Sequence, residues 1–217
     1  MIFSNFSNPM YWMSLLYSIP AVLLALSIHE CAHAYAAFRC GDPTARNLGR
    51  MTLDPTKHLD LVGTICLLLF RFGWAKPVPI NSRNFKHPRK DLVIVSVSGV
   101  IANFIMSFIA YGVLMIAVYG FGFANQIFVN IMLPIVYLNI TLGIFNLIPI
   151  PPLDGFQLIS GLFVRKASGV VTILQKYGFI ILLVLILTGA TGFILGNFTN
   201  WLMSVYKAFF SLFLSIV

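Results

Sequence analysis

From Leu15 to Phe38 the chain carries no lysine or arginine and a single carboxylate, Glu30, among residues that are otherwise apolar, small or histidine. A first span is predicted over about Tyr11–Phe38, with Pro20 bending it about one turn into the apolar part. Similar runs cover about Leu92–Tyr119, Ile127–Asn146 and Val171–Phe193, and a last one, Trp201–Val217, is interrupted by Lys207. In lipid every backbone polar group must be satisfied inside the protein, so such runs fold as helices. With 59% hydrophobic and 9% charged residues, the chain lacks the charge needed to coat a soluble globule of 217 residues. The fold class that follows is an all-α polytopic membrane protein with about five to six transmembrane helices. It forms one domain over residues 1–217, with a core over about 11–165 and C-terminal helices over about 171–217; the last run reads as a short span or an interfacial helix.

The formal net charge of +8 is unevenly placed, since ten of the 14 lysines and arginines lie between Arg39 and Lys90. The positive-inside rule puts that stretch in the cytoplasm and explains its charge without nucleic acid. The partner it implies is an anionic lipid surface. Residues Met1–Met10 contain no lysine or arginine, so the basic lead of a cleaved secretory signal is missing and the first span is read as retained. Its uncharged leading end then lies outside, and Arg39 marks the cytoplasmic boundary. Cys31, Cys40 and Cys66 are odd in number and scattered, which fits packing better than disulfides or a cysteine metal site.

Between Cys40 and Asp91 glycine and proline break the chain repeatedly, and its one apolar run, Leu61–Phe70, is too short to cross a bilayer. That run is expected to be re-entrant or interfacial. Gly73–Asn81 suits extended chain, either as an edge able to pair with an unfolded strand or as a plain cytoplasmic loop packed on helix ends.

Within the first span lies His29-Glu30-Cys31-Ala32-His33. Two histidines four apart project from one helix face, and the glutamate between them can act on a water held there, which is the mechanics of the H-E-x-x-H zinc pattern. Ionisable residues at membrane depth are costly and mark function. Hydrolytic zinc takes three protein ligands and one open position. His29 and His33 supply two. For the third, Asp154 is the one carboxylate after Asp91, and it follows the proline break Pro149-Ile150-Pro151-Pro152 that ends the third span. With spans alternating in direction, Asp154 is expected on the same side as His33. His58 is the second candidate, and His87 reads as a surface residue. Glu30 takes the role of general base. Asn103 lies in a second span with Ser96, Ser98, Gly99 and Ser107, spaced so that several share a face, and reads from spacing as a bridge between helices.

The H-E-C-A-H motif, the Lys76-Pro77-Val78-Pro79-Ile80-Asn81 loop and the Asn146–Gly155 segment ending Pro-Pro-Leu-Asp-Gly together resemble the site-2 protease family of intramembrane zinc metalloproteases, over roughly residues 20–165. The resemblance implies one Zn2+ per chain held by His29, His33 and Asp154, with Glu30 catalytic and Asn146 in substrate binding. It also sets Asn103 beside a family Gly-Pro-x-x-Asn element thought to orient substrate or stabilise the oxyanion, although Val100 replaces the proline here. Such a protein hydrolyses bonds in or near transmembrane helices of other proteins. The chain resembles members without PDZ or CBS domains, so substrate selection falls to the membrane core or to a separate regulatory membrane protein. The competing class is a metal-binding membrane protein without protease activity, a zinc transporter or inactive scaffold. Clustering of the ligands at one depth speaks against a transporter, and Glu30 speaks against a scaffold. Substrate and oligomeric state leave no mark in the sequence.

Overall fold

On helix α4, Pro88–Met115, the side chains Ile101, Ile105, Ile109 and Val113 point outward and are roughly half exposed, whereas Ser96, Asn103 and Ser107 on the opposite face are buried. A water-soluble helix shows the reverse polarity; this one faces hydrocarbon. The computed structural model describes residues 8–70, 74–163 and 168–214, with eight α-helices among them. These are α1 Pro9–Arg39, α2 Thr44–Asn47, α3 Leu61–Phe70, α4, α5 Gln126–Asn146, α6 Asp154–Phe163, α7 Ser168–Leu187 and α8 Ala190–Leu214. Among the described residues the strand-like pairing is one isolated antiparallel bridge, Leu59 with Ala75.

Among the described residues four helices are long and apolar enough to cross a membrane: Pro9–Arg39, Pro88–Gly120, Gln126–Asn146 and Gly169–Leu187. The protein is thus an all-α polytopic membrane protein, and the first three predicted spans coincide with these helices to within a few residues. Helix α1 runs through Pro20 without a break in its helical assignment. The C-terminal boundaries differ from expectation. The break between the last two helices lies at Thr188-Gly189, not between Phe193 and Trp201. The Thr188 hydroxyl donates to the carbonyls of Val184 and Leu185, and Gly189 adopts φ +77°, a left-handed conformation that closes a helix at no cost to glycine. Helix α8 consequently has 25 residues rather than a short terminal piece. Arg165 and Lys166 lie outside the described residues.

Helices α1, α4 and α5 pack against one another as the core. Small residues on α1, Ala21, Ala25, Ala34 and Ala37, are fully buried and let the helices come close. Helix α8 covers α4 and α5 through Tyr206, whose hydroxyl meets Ser107 Oγ at 2.8 Å and donates to the Phe104 carbonyl. Helix α3 is ten residues long, as the short apolar run implied. The segment 74–81 after it has neither helix nor turn, and the Lys76 N–H donates to the His58 carbonyl, in keeping with extended chain; Gly73 lies outside the described residues.

Candidate metal centre

Helix α1 places His29 and His33 on its buried face one turn apart, with Nε2 atoms 3.0 Å from each other. Helix α5 ends at Asn146, and the proline-rich turn after it folds back so tightly that a Cβ on Gly155 would stand 2.3 Å from the Leu147 carbonyl oxygen. Glycine is required there. The turn delivers Asp154, first residue of α6, with Oδ2 3.1 Å from His29 Nε2 and 3.0 Å from His33 Nε2. Residues 121 apart in sequence thus meet at one point, and His29, His33 and Asp154 form a group able to hold a metal ion.

The outer nitrogens decide what the cluster is. Nδ1 of His29 lies 2.7 Å from Asn103 Oδ1, and Nδ1 of His33 lies 2.8 Å from the Val95 carbonyl oxygen. The Asn103 amide is oriented by its own donations, 3.1 Å to the Ala25 carbonyl and 2.8 Å to Asn139 Oδ1, while Asn139 donates to the Ile135 carbonyl at 2.8 Å. Backbone carbonyls accept and never donate, so this chain of bonds assigns both Nδ1 atoms as donors. Neutral imidazoles with the proton on Nδ1 present bare lone pairs at Nε2. Two such lone pairs and a carboxylate oxygen, converging within 3.1 Å, repel one another unless a metal ion or a proton lies among them. The nitrogen and oxygen donors suit zinc, and imidazoles held from behind by amide and carbonyl oxygens are the usual outer support of a metal site.

The histidine side chains are 7% exposed and that of Asp154 21%, so the cluster opens on the Asp154 side. Glu30, also buried, accepts the Val78 N–H at Oε2 over 2.7 Å. The extended segment therefore touches the glutamate through its backbone. Gly99 on α4 faces the imidazoles with no room to spare: a Cβ there would lie 2.6 Å from His33 Nε2 and 2.7 Å from His29 Cε1. We expect Gly99→Ala to displace rings already pinned at Nδ1 and to weaken zinc binding by about ten- to hundredfold, read by competition with a chelator.

Three further sequence candidates find other places. His58 is fully buried but its Nε2 donates to the Thr52 carbonyl at 2.7 Å, and it is not part of the cluster. Asn103 has both amide protons engaged within the protein, and its Oδ1 faces His29 Nδ1 at 2.7 Å. Asn146 donates back to the Leu142 carbonyl at 3.0 Å, a local bond at the end of α5. Sequence reading missed Asn139 and the Val78 N–H. The first had a signal, an asparagine in the middle of an apolar span; a backbone donor leaves none.

Fold and site define a multi-pass membrane protein with a metal-ligand cluster inside its helical core. The model of "Peptidase family M50" matches residues 114–185. YwhC of Bacillus subtilis (strain 168), provisionally named a zinc metalloprotease, is 40% identical over 212 residues, covering 91% of this chain and 92% of that protein. Rip2 of Mycolicibacterium smegmatis (strain ATCC 700084 / mc(2)155), which bears the same kind of name, is 27% identical over 174 residues, covering 77% of this chain and 65% of Rip2. The chain belongs to peptidase family M50, the site-2 protease family, and with it to the metalloproteases. No solved structure matches it significantly.

Proposed function

We propose that the chain is an intramembrane zinc endopeptidase that hydrolyses peptide bonds within or near transmembrane segments of other membrane proteins. The observation that carries this reading is the convergence of three potential ligand atoms, His29 Nε2, His33 Nε2 and Asp154 Oδ2, within 3.1 Å of one another inside an apolar bundle, next to a buried glutamate. One zinc ion per chain fits those donors, and when bound it acts as a Lewis acid that lowers the pKa of water toward about 7. The protein's own groups do the rest. Asn103 and the Val95 carbonyl keep both Nε2 lone pairs directed at the site. Glu30, steadied by the Val78 N–H, takes the proton of the attacking water and passes it to the leaving amine.

A helical substrate hides its amides in intrahelical hydrogen bonds, so a scissile bond must be unwound to reach such a site. Asn146, at the mouth of the proline turn, is assigned to substrate contact under this reading. The enzyme is placed in the cell membrane with its site toward the cytoplasmic side, consistent with ten basic residues between Arg39 and Lys90. Its partners are substrate helices, anionic lipid and a separate regulatory membrane protein. A metal carrier needs ligands along a path, whereas among the described residues His29, His33 and Asp154 stand as one cluster. The test is cleavage of a bilayer-spanning polypeptide by the purified chain. Cleavage is expected to stop on chelation and return with added zinc; a rate indifferent to chelator contradicts the proposal.

A further inference from the structure

Two charged side chains outside the metal centre are buried without serving each other. Arg50 is 9% exposed and Asp42 is 0% exposed, both in the loop after α1, and among the described residues no ion pair joins them. Burying a charge away from water is costly unless its hydrogen bonds are made elsewhere. Arg50 Nε is left without a partner, but both side chains bond the segment that touches Glu30. Arg50 Nη2 donates to the Lys76 carbonyl at 2.7 Å and to the Pro77 carbonyl at 3.3 Å. Asp42 Oδ2 accepts the Asn81 N–H at 2.7 Å, and its Oδ1 accepts from Asn84 Nδ2 at 2.8 Å and from both the backbone N–H and hydroxyl of Thr44. Burial pushes the Asp42 carboxyl up, but the hydrogen bonds from Thr44, Asn81 and Asn84 outweigh this and hold it below the ordinary carboxylate range, so it stands ionised at neutral pH.

The two grips fall on either side of Val78. Upstream, Lys76 is held through its carbonyl by Arg50 and through its N–H by the His58 carbonyl at 2.8 Å. Downstream, Asn81 is held by Asp42. Pro77 and Pro79, flanking Val78, have no N–H and a fixed φ, so the short segment can neither pair elsewhere through them nor swivel freely. Val78 contributes the N–H in the middle, and it goes to Glu30 Oε2 at 2.7 Å.

We infer that Arg50 and Asp42 are positioning residues that clamp the 76–81 segment so that the Val78 N–H fixes the Glu30 carboxylate. This deepens the protease reading and rests on it for its kinetic consequence, while its structural consequence stands by itself. The test uses the purified full chain loaded with zinc and a bilayer-spanning polypeptide as substrate, comparing the parent with Arg50→Met, Arg50→Lys and Asp42→Asn. Because neighbouring prolines carry no amide, exchange at Val78 can be read individually. In Arg50→Met and Asp42→Asn, Val78 exchange is expected to rise at least about tenfold while amides of α1 keep their protection. Zinc content stays at the parent value, kcat falls about tenfold and KM moves by less than about twofold, the pattern of a lost transition-state contribution. Arg50→Lys, which keeps one donor for the Lys76 carbonyl, recovers most of both effects. Unchanged Val78 exchange overturns the inference. So does a loss of protection shared by α1 and accompanied by loss of zinc, because the residues then merely hold the fold. If the parent itself does not cleave, the protease reading fails and Val78 exchange still decides the clamp; if the parent cleaves and Val78 does not respond, the clamp alone is wrong.

Discussion

Glu30→Gln is expected to abolish cleavage of a bilayer-spanning substrate, by about a thousandfold or more, while zinc content stays at the parent value. General acid–base catalysis by one positioned group contributes about 10²–10⁴ in rate, and Glu30 is asked to act twice, on the water and on the leaving amine. Glutamine keeps the shape of the side chain and an oxygen that can still accept the Val78 N–H, which lies 2.7 Å from the carboxylate. What it loses is the capacity to hold a proton. The change therefore separates chemistry from folding and from metal binding. Initial rates and metal analysis on the same preparations check it; a variant that cleaves at the parent's rate removes Glu30 from the mechanism.

The second large effect is expected at Asp154. Asp154→Ala leaves the two Nε2 atoms, 3.0 Å apart, as the remaining protein donors. Because a ligand is removed outright, the loss of zinc affinity should exceed the ten- to hundredfold typical of losing an outer-shell partner, and activity should go with it. His58 is not part of the cluster, and its Nε2 is committed to the Thr52 carbonyl at 2.7 Å. The fold should survive, because Asp154 is the most exposed member of the cluster at 21%. A variant that retains zinc at parental affinity means the third ligand lies elsewhere.

What was legible in the sequence was whatever depends on hydropathy or on a short motif. The first three spans were readable because lipid imposes one requirement on every residue of a crossing helix. Asp154 was readable because prolines must end the helix before it, and because alternation of spans fixes its side of the membrane. The break at Gly189 was missed because Phe193 and Ile194 resume the apolar run, although Thr188-Gly189-Ala190-Thr191-Gly192 interrupts it and Gly189 takes φ +77°. Asn103 illustrates the limit for polar residues. Its place on a buried face followed from spacing, but its allegiance to His29 depends on the rotation of three helices about one another. Arg50 and Asp42 looked like ordinary charges of a cytoplasmic loop, and their burial comes from how that loop folds over the extended segment.

X-ray absorption at the zinc edge of the purified protein tests the central claim, that His29, His33 and Asp154 together hold the metal. The expected spectrum is that of one zinc per chain with about four nitrogen or oxygen neighbours at about 2.0–2.2 Å, two of them showing imidazole scattering. A sulfur neighbour at about 2.3 Å, which would bring in Cys31, or a fully active protein free of zinc, would contradict it.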